Sequence, residues 1–252
     1  MDSFISWIGG KKLLRKKIIS NFPTGKFERY IEVFGGAAWV LFSEDKHAKF
    51  EVYNDIDGEL VNLFRCVKFH CNELQRELSL YLNSRELFYD FKEQMDTRGF
   101  TDIQRAARYF MLIKISYGSD RRSYGCSHKN MIKIMDYLPL IQTRLNEVII
   151  ENKSFDSIIK VYDRPSSLFY LDPPYHGTEK YYDNTFNEEN HKLLNSILKG
   201  IKGHFILSYN DDKFIRELYK DFIIEDISRN NNLAGRYADK DRSFKELLIK
   251  NY

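Results

Sequence analysis

Seven short apolar segments, at residues 30–34, 50–53, 148–150, 168–171, 204–208, 222–227 and 247–249, carry strand signals and set the strongest limit on what this chain can fold into. Helical spacing of apolar residues fills most of the intervals: residues 11–22 (Leu14, Ile18, Ile19), 58–68, 188–198 and 212–220, with a further helix expected from Ala37. A strand can pair in parallel with the next only through a crossover, and a helix is the usual one, so this alternation predicts an α/β fold with a mostly parallel sheet covered on both faces. Ligands of such sheets bind beyond the carboxyl ends of the strands. The strand ends at Gly35, Asp55, Asp172 and Ser208 are therefore the places where chemistry is expected.

The interval from residue 69 to 146 breaks the alternation. It keeps helical periodicity and has hardly any strand signal, and it is interrupted by Gly118-Ser119-Asp120 and a polar loop reaching Asn130. For a chain of 252 residues, this reads as one α/β body, residues 1–68 and 147–252, carrying an inserted helical subdomain over 69–146. Charge marks the same insertion. The whole chain has a formal charge of +3, but residues 101–133 hold seven Lys/Arg against two Asp. A basic segment that also holds Tyr109, Tyr117 and Tyr124 is either the footprint of a phosphate backbone or a solvated helix face.

Composition excludes several classes. Apolar residues make up 43% and charged residues 30% of the chain, values of a soluble globular protein rather than a disordered one. No apolar run approaches the roughly 18 residues of a spanning helix, and no secretory signal opens the sequence, so no membrane partner and a cytoplasmic location are expected. Cys66, Cys71 and Cys126 match neither a disulfide framework nor a zinc spacing. Cys66, His70 and Cys71 lack a second ligand cluster, and no metal is expected.

Two segments carry candidate chemistry. In Glu32-Val33-Phe34-Gly35-Gly36-Ala37-Ala38 a strand turns sharply, and small residues let backbone N–H groups approach a ligand; a plain strand-to-helix turn has the same look. Asp55 follows about twenty residues on, at the end of the next strand, where an acidic side chain can hold ribose hydroxyls or simply cap the next helix. The second segment is the apolar run 168–171 followed by Asp172-Pro173-Pro174-Tyr175. Two prolines fix φ near −65° and donate no hydrogen bond, which leaves a stiff loop of acceptors. Asp172 and the Pro173 carbonyl can accept both hydrogens of an exocyclic amine, and Tyr175 can stack on a flat ring.

Asp172-Pro173-Pro174-Tyr175 resembles the catalytic motif of amino-methylating DNA methyltransferases, and the chain as a whole resembles the Dam-like adenine methylases. Trp7-Ile8-Gly9-Gly10-Lys11 is similar to that family's Trp-Ala-Gly-Gly-Lys cofactor motif, residues 34–38 to its Phe-x-Gly-x-Gly loop with Ala38 in place of the second glycine, and Asn54-Asp55-Ile56-Asp57 to its ribose-binding segment. Lys245-Glu246-Leu247-Leu248-Ile249 is similar to its closing strand. The resemblance implies a Rossmann-like methyltransferase fold with a seven-stranded sheet, S-adenosyl-L-methionine as cofactor with S-adenosyl-L-homocysteine as product, and transfer to the N6 amine of an adenine flipped out of double-stranded DNA. It implies a catalytic body interrupted by a target-recognition insertion, acting as a monomer or weak dimer.

Carried over by position, Asp172, Pro173, Pro174 and Tyr175 would be catalytic. Trp7, Gly9, Lys11, Glu32, Phe34, Gly35, Gly36, Asp55, Phe155 and Asp172 would line the cofactor, Phe155 at its adenine. Lys114, Tyr117, Arg121, Arg122 and Tyr124 of the insertion, with Arg229 and Arg236 of a polar C-terminal loop, would meet DNA, and Arg121 and Arg122 are the candidates for bidentate contact with guanine. Three other readings stay open at this level. The same loop could serve cytosine N4, RNA adenine or a protein glutamine; the fold could bind DNA without catalysis; the glycine turn with Asp55 could belong to a dinucleotide oxidoreductase, which leaves Asp172-Pro173-Pro174-Tyr175 unexplained.

Overall fold

The structure is a computed structural model that describes residues 1–25, 27–126, 129–177, 186–230 and 243–252. The chain divides into two compact units, residues 1–12 with 35–152 and residues 13–34 with 153–252.

In the first unit β2 (Phe50–Asn54) pairs in parallel with β3 (Val148–Glu151), Glu51 opposite Val148 and Asn54 opposite Glu151. Helix α2 (Gly58–Phe69) starts where it does because the Asp57 carboxylate accepts from the amides of Glu59 and Leu60, two donors a helix start cannot satisfy itself. Helices α3 (Cys71–Leu78), α4 (Arg85–Gln94), α5 (Asp102–Ile115), α6 (Met131–Asp136) and α7 (Leu138–Leu145) make up the segment expected to be helical. The one β-pairing among its described residues is an isolated bridge between Ser116 and Tyr124. A capping box of Thr101 and Gln104 opens α5, which packs on α2 and buries Ala106, Ala107, Tyr109, Phe110, Met111, Leu112, Ile113 and Ile115. Phe4 pins the N-terminal segment into this core, edge-on to Phe64 at 5.0 Å and stacked on Phe110 at 6.1 Å. Arg144 of α7 grips buried Glu51 of β2 with two bonds, 2.7 and 2.9 Å.

In the second unit the strands lie in the order β1-β4-β5-β7-β6. β1 (Arg29–Glu32), β4 (Ser167–Leu171) and β5 (His204–Asn210) are parallel, whereas β7 (Ser243–Lys250) is antiparallel to both β5 and β6 (Ile223–Asn230). Helices α1 (Arg15–Ile19), α8 (Phe155–Tyr162), α9 (Glu188–Lys199) and α10 (Lys213–Leu218) complete the unit. All five residues of β4 are buried, which explains its unbroken apolar sequence and makes the chain leave the core abruptly at Asp172. The fold is α/β, with a seven-stranded, mostly parallel sheet as the alternation of segments required.

Two helices differ from their sequence patterns. The expected helix 11–22 shrinks to α1, and Leu14, at the cap position before it, supplies no capping side chain. The helix expected from Ala37 is replaced by a turn and a 3₁₀ segment, Leu41–Ser43. Gly36 and Ala38 have φ of +48° and +55°, left-handed values that a right-handed helix cannot contain. Among the described residues no helix is long and apolar enough to cross a membrane, and none of their His, Cys, Asp and Glu side chains form a group of three or more able to hold a metal. Burial pushes the Cys66 thiol up to about 12, which disfavours the thiolate a metal would need.

Candidate active site

In the second unit, Asp172 follows directly on β4, and its neighbours hold it in one orientation. Ser208, on the adjacent β5, donates its hydroxyl to Asp172 Oδ1 at 2.8 Å, and the Tyr170 hydroxyl, 3.2 Å from Ser208 Oγ, then serves as donor to Ser208. Pro173 is buried while Asp172, Pro174 and Tyr175 are half-buried, so the loop is anchored at its stiff part. Tyr175 is held by its tip: its hydroxyl donates to Glu246 Oε2 on β7 at 2.8 Å, and its ring lies 5.9 Å from that of Tyr209. Burial, then the nearby Asp172 and Glu246 carboxylates, raise the Tyr175 hydroxyl well above the ordinary tyrosine range. It therefore stays a neutral donor. His176 lies between Phe214, 4.7 Å away, and the Asp212 carboxylate, 3.2 Å away, while the Asn210 amide donates to the His176 carbonyl and closes the loop.

The same unit gathers three aromatic rings from separate segments. Phe34 stacks on Phe155 at 5.9 Å, and Phe186 meets both at 5.7 and 5.5 Å. Phe155, expected at a flat ring of the cofactor, is thus part of an aromatic cluster at the start of α8. Glu32 is buried, with Tyr30 donating to its Oε2 at 2.9 Å.

In the first unit, Asp55 organises the glycine turn. Its two carboxylate oxygens accept the Gly36 amide at 2.8 Å and the Asp57 amide at 2.9 Å. Burial outweighs these bonds and a further one from the Ile56 amide, and pushes the carboxyl up to about 6. Three backbone amides thus occupy three of its roughly four lone-pair positions, which leaves one for a hydroxyl group. Gly35 and Gly36 are where side chains cannot go. A Cβ on Gly35 would lie 2.2 Å from the Tyr53 ring, and one on Gly36 would lie 2.9 Å from Cδ1 of Trp7. Trp7 is therefore seated directly against the turn. Beyond it Gly9, with φ of +77°, bends the chain so that buried Lys11 donates to the Gly9 carbonyl at 2.8 Å.

The residues expected at DNA have diverse settings. Tyr117 is 70% exposed and Arg122 is exposed, and both belong to a loop closed on itself by Asp120, whose carboxylate accepts from the amides of Arg122 and Ser123. Tyr124 is tied to Asn83 at 3.1 Å and covered by the Arg85 guanidinium. Lys114 is half-exposed, and burial with the nearby Lys129 lowers its amine to about 8. Arg121 points inward instead: it pairs with Asp57, donates to the Tyr109 hydroxyl and lies 4.9 Å over the Trp7 ring. Arg229 lies on β6, and Arg236 falls outside the described residues.

Ser208, Glu246 and Asp57 have no role in the sequence reading, although Ser208 marks a strand end and Glu246 and Asp57 stand inside quoted segments, and Tyr109 is named there only as an aromatic of the basic segment. Glu246 had one legible signal, a carboxylate placed at the head of an apolar strand.

A family model described as D12 class N6 adenine-specific DNA methyltransferase matches residues 7–233. Among curated proteins, a type II methyltransferase, M.CviBI, of Paramecium bursaria Chlorella virus NC1A is 26% identical over the full length of both chains. A DNA adenine methylase of Haemophilus influenzae is 23% identical over 86% of this chain and 82% of its own, and one of Serratia marcescens is 30% identical over 44% and 40%. With the match of the family model running from Trp7 through the glycine turn, the helical segment and the Asp172 loop, this chain belongs to the D12 class of N6 adenine-specific DNA methyltransferases.

Proposed function

We propose that this chain methylates the N6 amine of an adenine flipped out of double-stranded DNA, using S-adenosyl-L-methionine and releasing S-adenosyl-L-homocysteine. The observation that carries this reading is the anchoring of Asp172-Pro173-Pro174-Tyr175, with Ser208 on the carboxylate and Glu246 on the tyrosine hydroxyl. The amine of adenine is a poor nucleophile because its lone pair is delocalised into the ring. With Asp172 and the Pro173 carbonyl each accepting one N–H, the nitrogen is drawn toward a pyramidal shape, and the positive charge that grows on it is stabilised by a carboxylate already in place. The methylated nitrogen then loses one N–H proton, which its positive charge makes acidic, to Asp172 or solvent, so no strong base is needed. Extruding a base from the duplex costs a few kcal/mol, and stacking on the half-exposed Tyr175 ring offsets part of it.

When bound, the cofactor supplies an electrophilic methyl group. The residues of each unit fit a part of such a ligand: in the first, Asp55 would hold its ribose, with Trp7, Gly9, Lys11, Gly35 and Gly36 beside it; in the second, Phe155 and Phe34 would take its flat base, and Glu32, near Phe34 in sequence, would join them. Residues 69–146 would be the target-recognition part, with Lys114, Tyr117, Arg122 and Tyr124 as its DNA contacts, and Arg229 of β6 would be a further one.

The test is direct. Purified protein incubated with radiolabelled cofactor and mixed-sequence duplex DNA is expected to label adenine, and single-base mapping of the product would give the target sequence. Label confined to cytosine, or none at all, refutes the reading.

Asp55 makes this assignment visible in pH dependence. Its carboxyl sits at about 6 instead of the usual 3.8 because burial disfavours the anion. Ribose hydroxyls donating to it favour the ionised form, so binding lowers this pKa and releases a proton. Cofactor affinity is then expected to weaken as pH falls below about 6, by up to roughly tenfold per unit, and to be level above pH 7. In Asp55→Asn the dependence should vanish. Calorimetric titrations from pH 5 to 8 that show a flat profile for the unaltered protein remove Asp55 from the ribose.

A further inference from the structure

We infer that Arg121 is a positioning residue of the cofactor site, acting through Trp7, rather than a reader of DNA. The inference rests on the proposed cofactor role of the glycine turn and Trp7, and it follows from a closed circuit of contacts inside the first unit. The Gly36 amide donates to Asp55, and the Asp57 amide donates to the other oxygen of Asp55. Asp57 uses one oxygen to cap α2, and its Oδ2 accepts the Tyr109 hydroxyl at 2.6 Å and Arg121 Nη1 at 3.3 Å. The Arg121 guanidinium then covers Trp7 at 4.9 Å, and Trp7 returns to Gly36, touching it so closely that no Cβ fits between them. Every member of the circuit is either a residue of the glycine turn, its neighbour in sequence, or a group that orients one of these.

The setting of Arg121 agrees with a service inward. Its side chain is 19% exposed and that of its ion-pair partner Asp57 24%, and the guanidinium also lies 5.2 Å from the Tyr109 ring. Its backbone adopts φ of +59°, a left-handed value that is uncommon for a long side chain, while the next residue, Arg122, carries the exposed guanidinium of the pair. A second tie runs beside the first: the hydroxyls of Ser6 and Ser119 are 2.5 Å apart, joining the residue before Trp7 to the same loop. Two adjacent arginines with one motif in sequence thus divide their work, because the left-handed turn between them sends their side chains to different surroundings.

The planar guanidinium is what the arrangement uses. It can stack on Trp7 and bond Asp57 and Tyr109 at once, whereas a lysine amine is a point charge that keeps only the ion pair. Cofactor affinity without DNA, measured by calorimetry on the full chain, is expected to fall about tenfold in Arg121→Ala and about threefold in Arg121→Lys. Arg121→Lys should keep the thermal midpoint of the unaltered protein in the absence of cofactor, which separates positioning from folding. Arg122→Ala should bind cofactor unchanged and instead lessen the salt dependence of DNA binding by about one phosphate contact. The inference is overturned if Arg121→Ala and Arg121→Lys bind cofactor like the unaltered protein, or if Arg121→Lys alone does and only DNA affinity drops. Failure of the unaltered protein itself to bind S-adenosyl-L-methionine would instead reject the functional reading beneath it.

Discussion

Replacing Asp172 by Ala is expected to lower the rate of methyl transfer by about 10²–10³-fold at saturating cofactor and DNA, the scale seen when one preorganised electrostatic partner of a transition state is removed. The cost to folding should be small. Asp172 is half-exposed, and Ser208, on losing it, can turn its hydroxyl to the Leu171 carbonyl 3.3 Å away. Asp172→Asn is the more instructive change. Ser208 donates to Oδ1, so an asparagine would present its amide oxygen to Ser208 and its NH2 to the incoming amine, donor against donor. Nearly the full loss is therefore expected even from this isosteric substitution. Single-turnover measurements with prebound cofactor decide it: turnover within about threefold of the unaltered protein in either variant refutes the proposed role of the carboxylate.

Gly35→Ala is expected to produce the largest loss of stability from a single methyl group. The added Cβ would stand 2.2 and 2.7 Å from two carbons of the Tyr53 ring and 2.8 Å from the Asn54 carbonyl oxygen, to which the Gly35 amide also donates. Tyr53 has no room to yield, because its fully buried ring is stacked on Phe64 at 4.0 Å and its hydroxyl donates to the Gly36 carbonyl at 2.8 Å. Overpacking of this kind costs about 3 kcal/mol, a fall of roughly 6–12 °C in Tm for a chain of this size. The same displacement moves the Gly36 amide off Asp55, so cofactor affinity should fall with it. Gly25→Ala, where the new methyl group meets nothing within 4 Å, is the matched control. A Gly35→Ala protein that melts with the Gly25→Ala protein would show that the turn is looser than its packing implies.

Much of the fold was legible because strand and helix signals are local. The apolar run at 168–171 and the carboxylate that ends it needed only their own neighbours to be recognised, and the helix 58–68 was placed by its periodicity, although its cap is Asp57 and not Asp55, the acidic residue the sequence reading offered for it. The helix expected from Ala37 failed for an equally local reason that composition conceals: Gly36 and Ala38 both take left-handed φ, and Ala38 does so fully buried, with no side-chain pattern to announce it.

By itself the sequence determined the α/β alternation, the positions of Asp55 and Asp172 at strand ends, and the stiff Asp-Pro-Pro-Tyr loop, since periodicity, turn chemistry and proline geometry all act within a few residues. Only the tertiary structure decided what holds those groups. Ser208 reaches Asp172 across 36 residues, Arg121 reaches Asp57 across 64, and Glu246 reaches Tyr175 across 71. No local rule links such partners. They meet because, in the second unit, pairing of β4 with β5 and of β5 with β7 and, in the first, packing of α5 on α2 bring distant side chains together, where a buried polar group must find a partner or lose the free energy of its hydration.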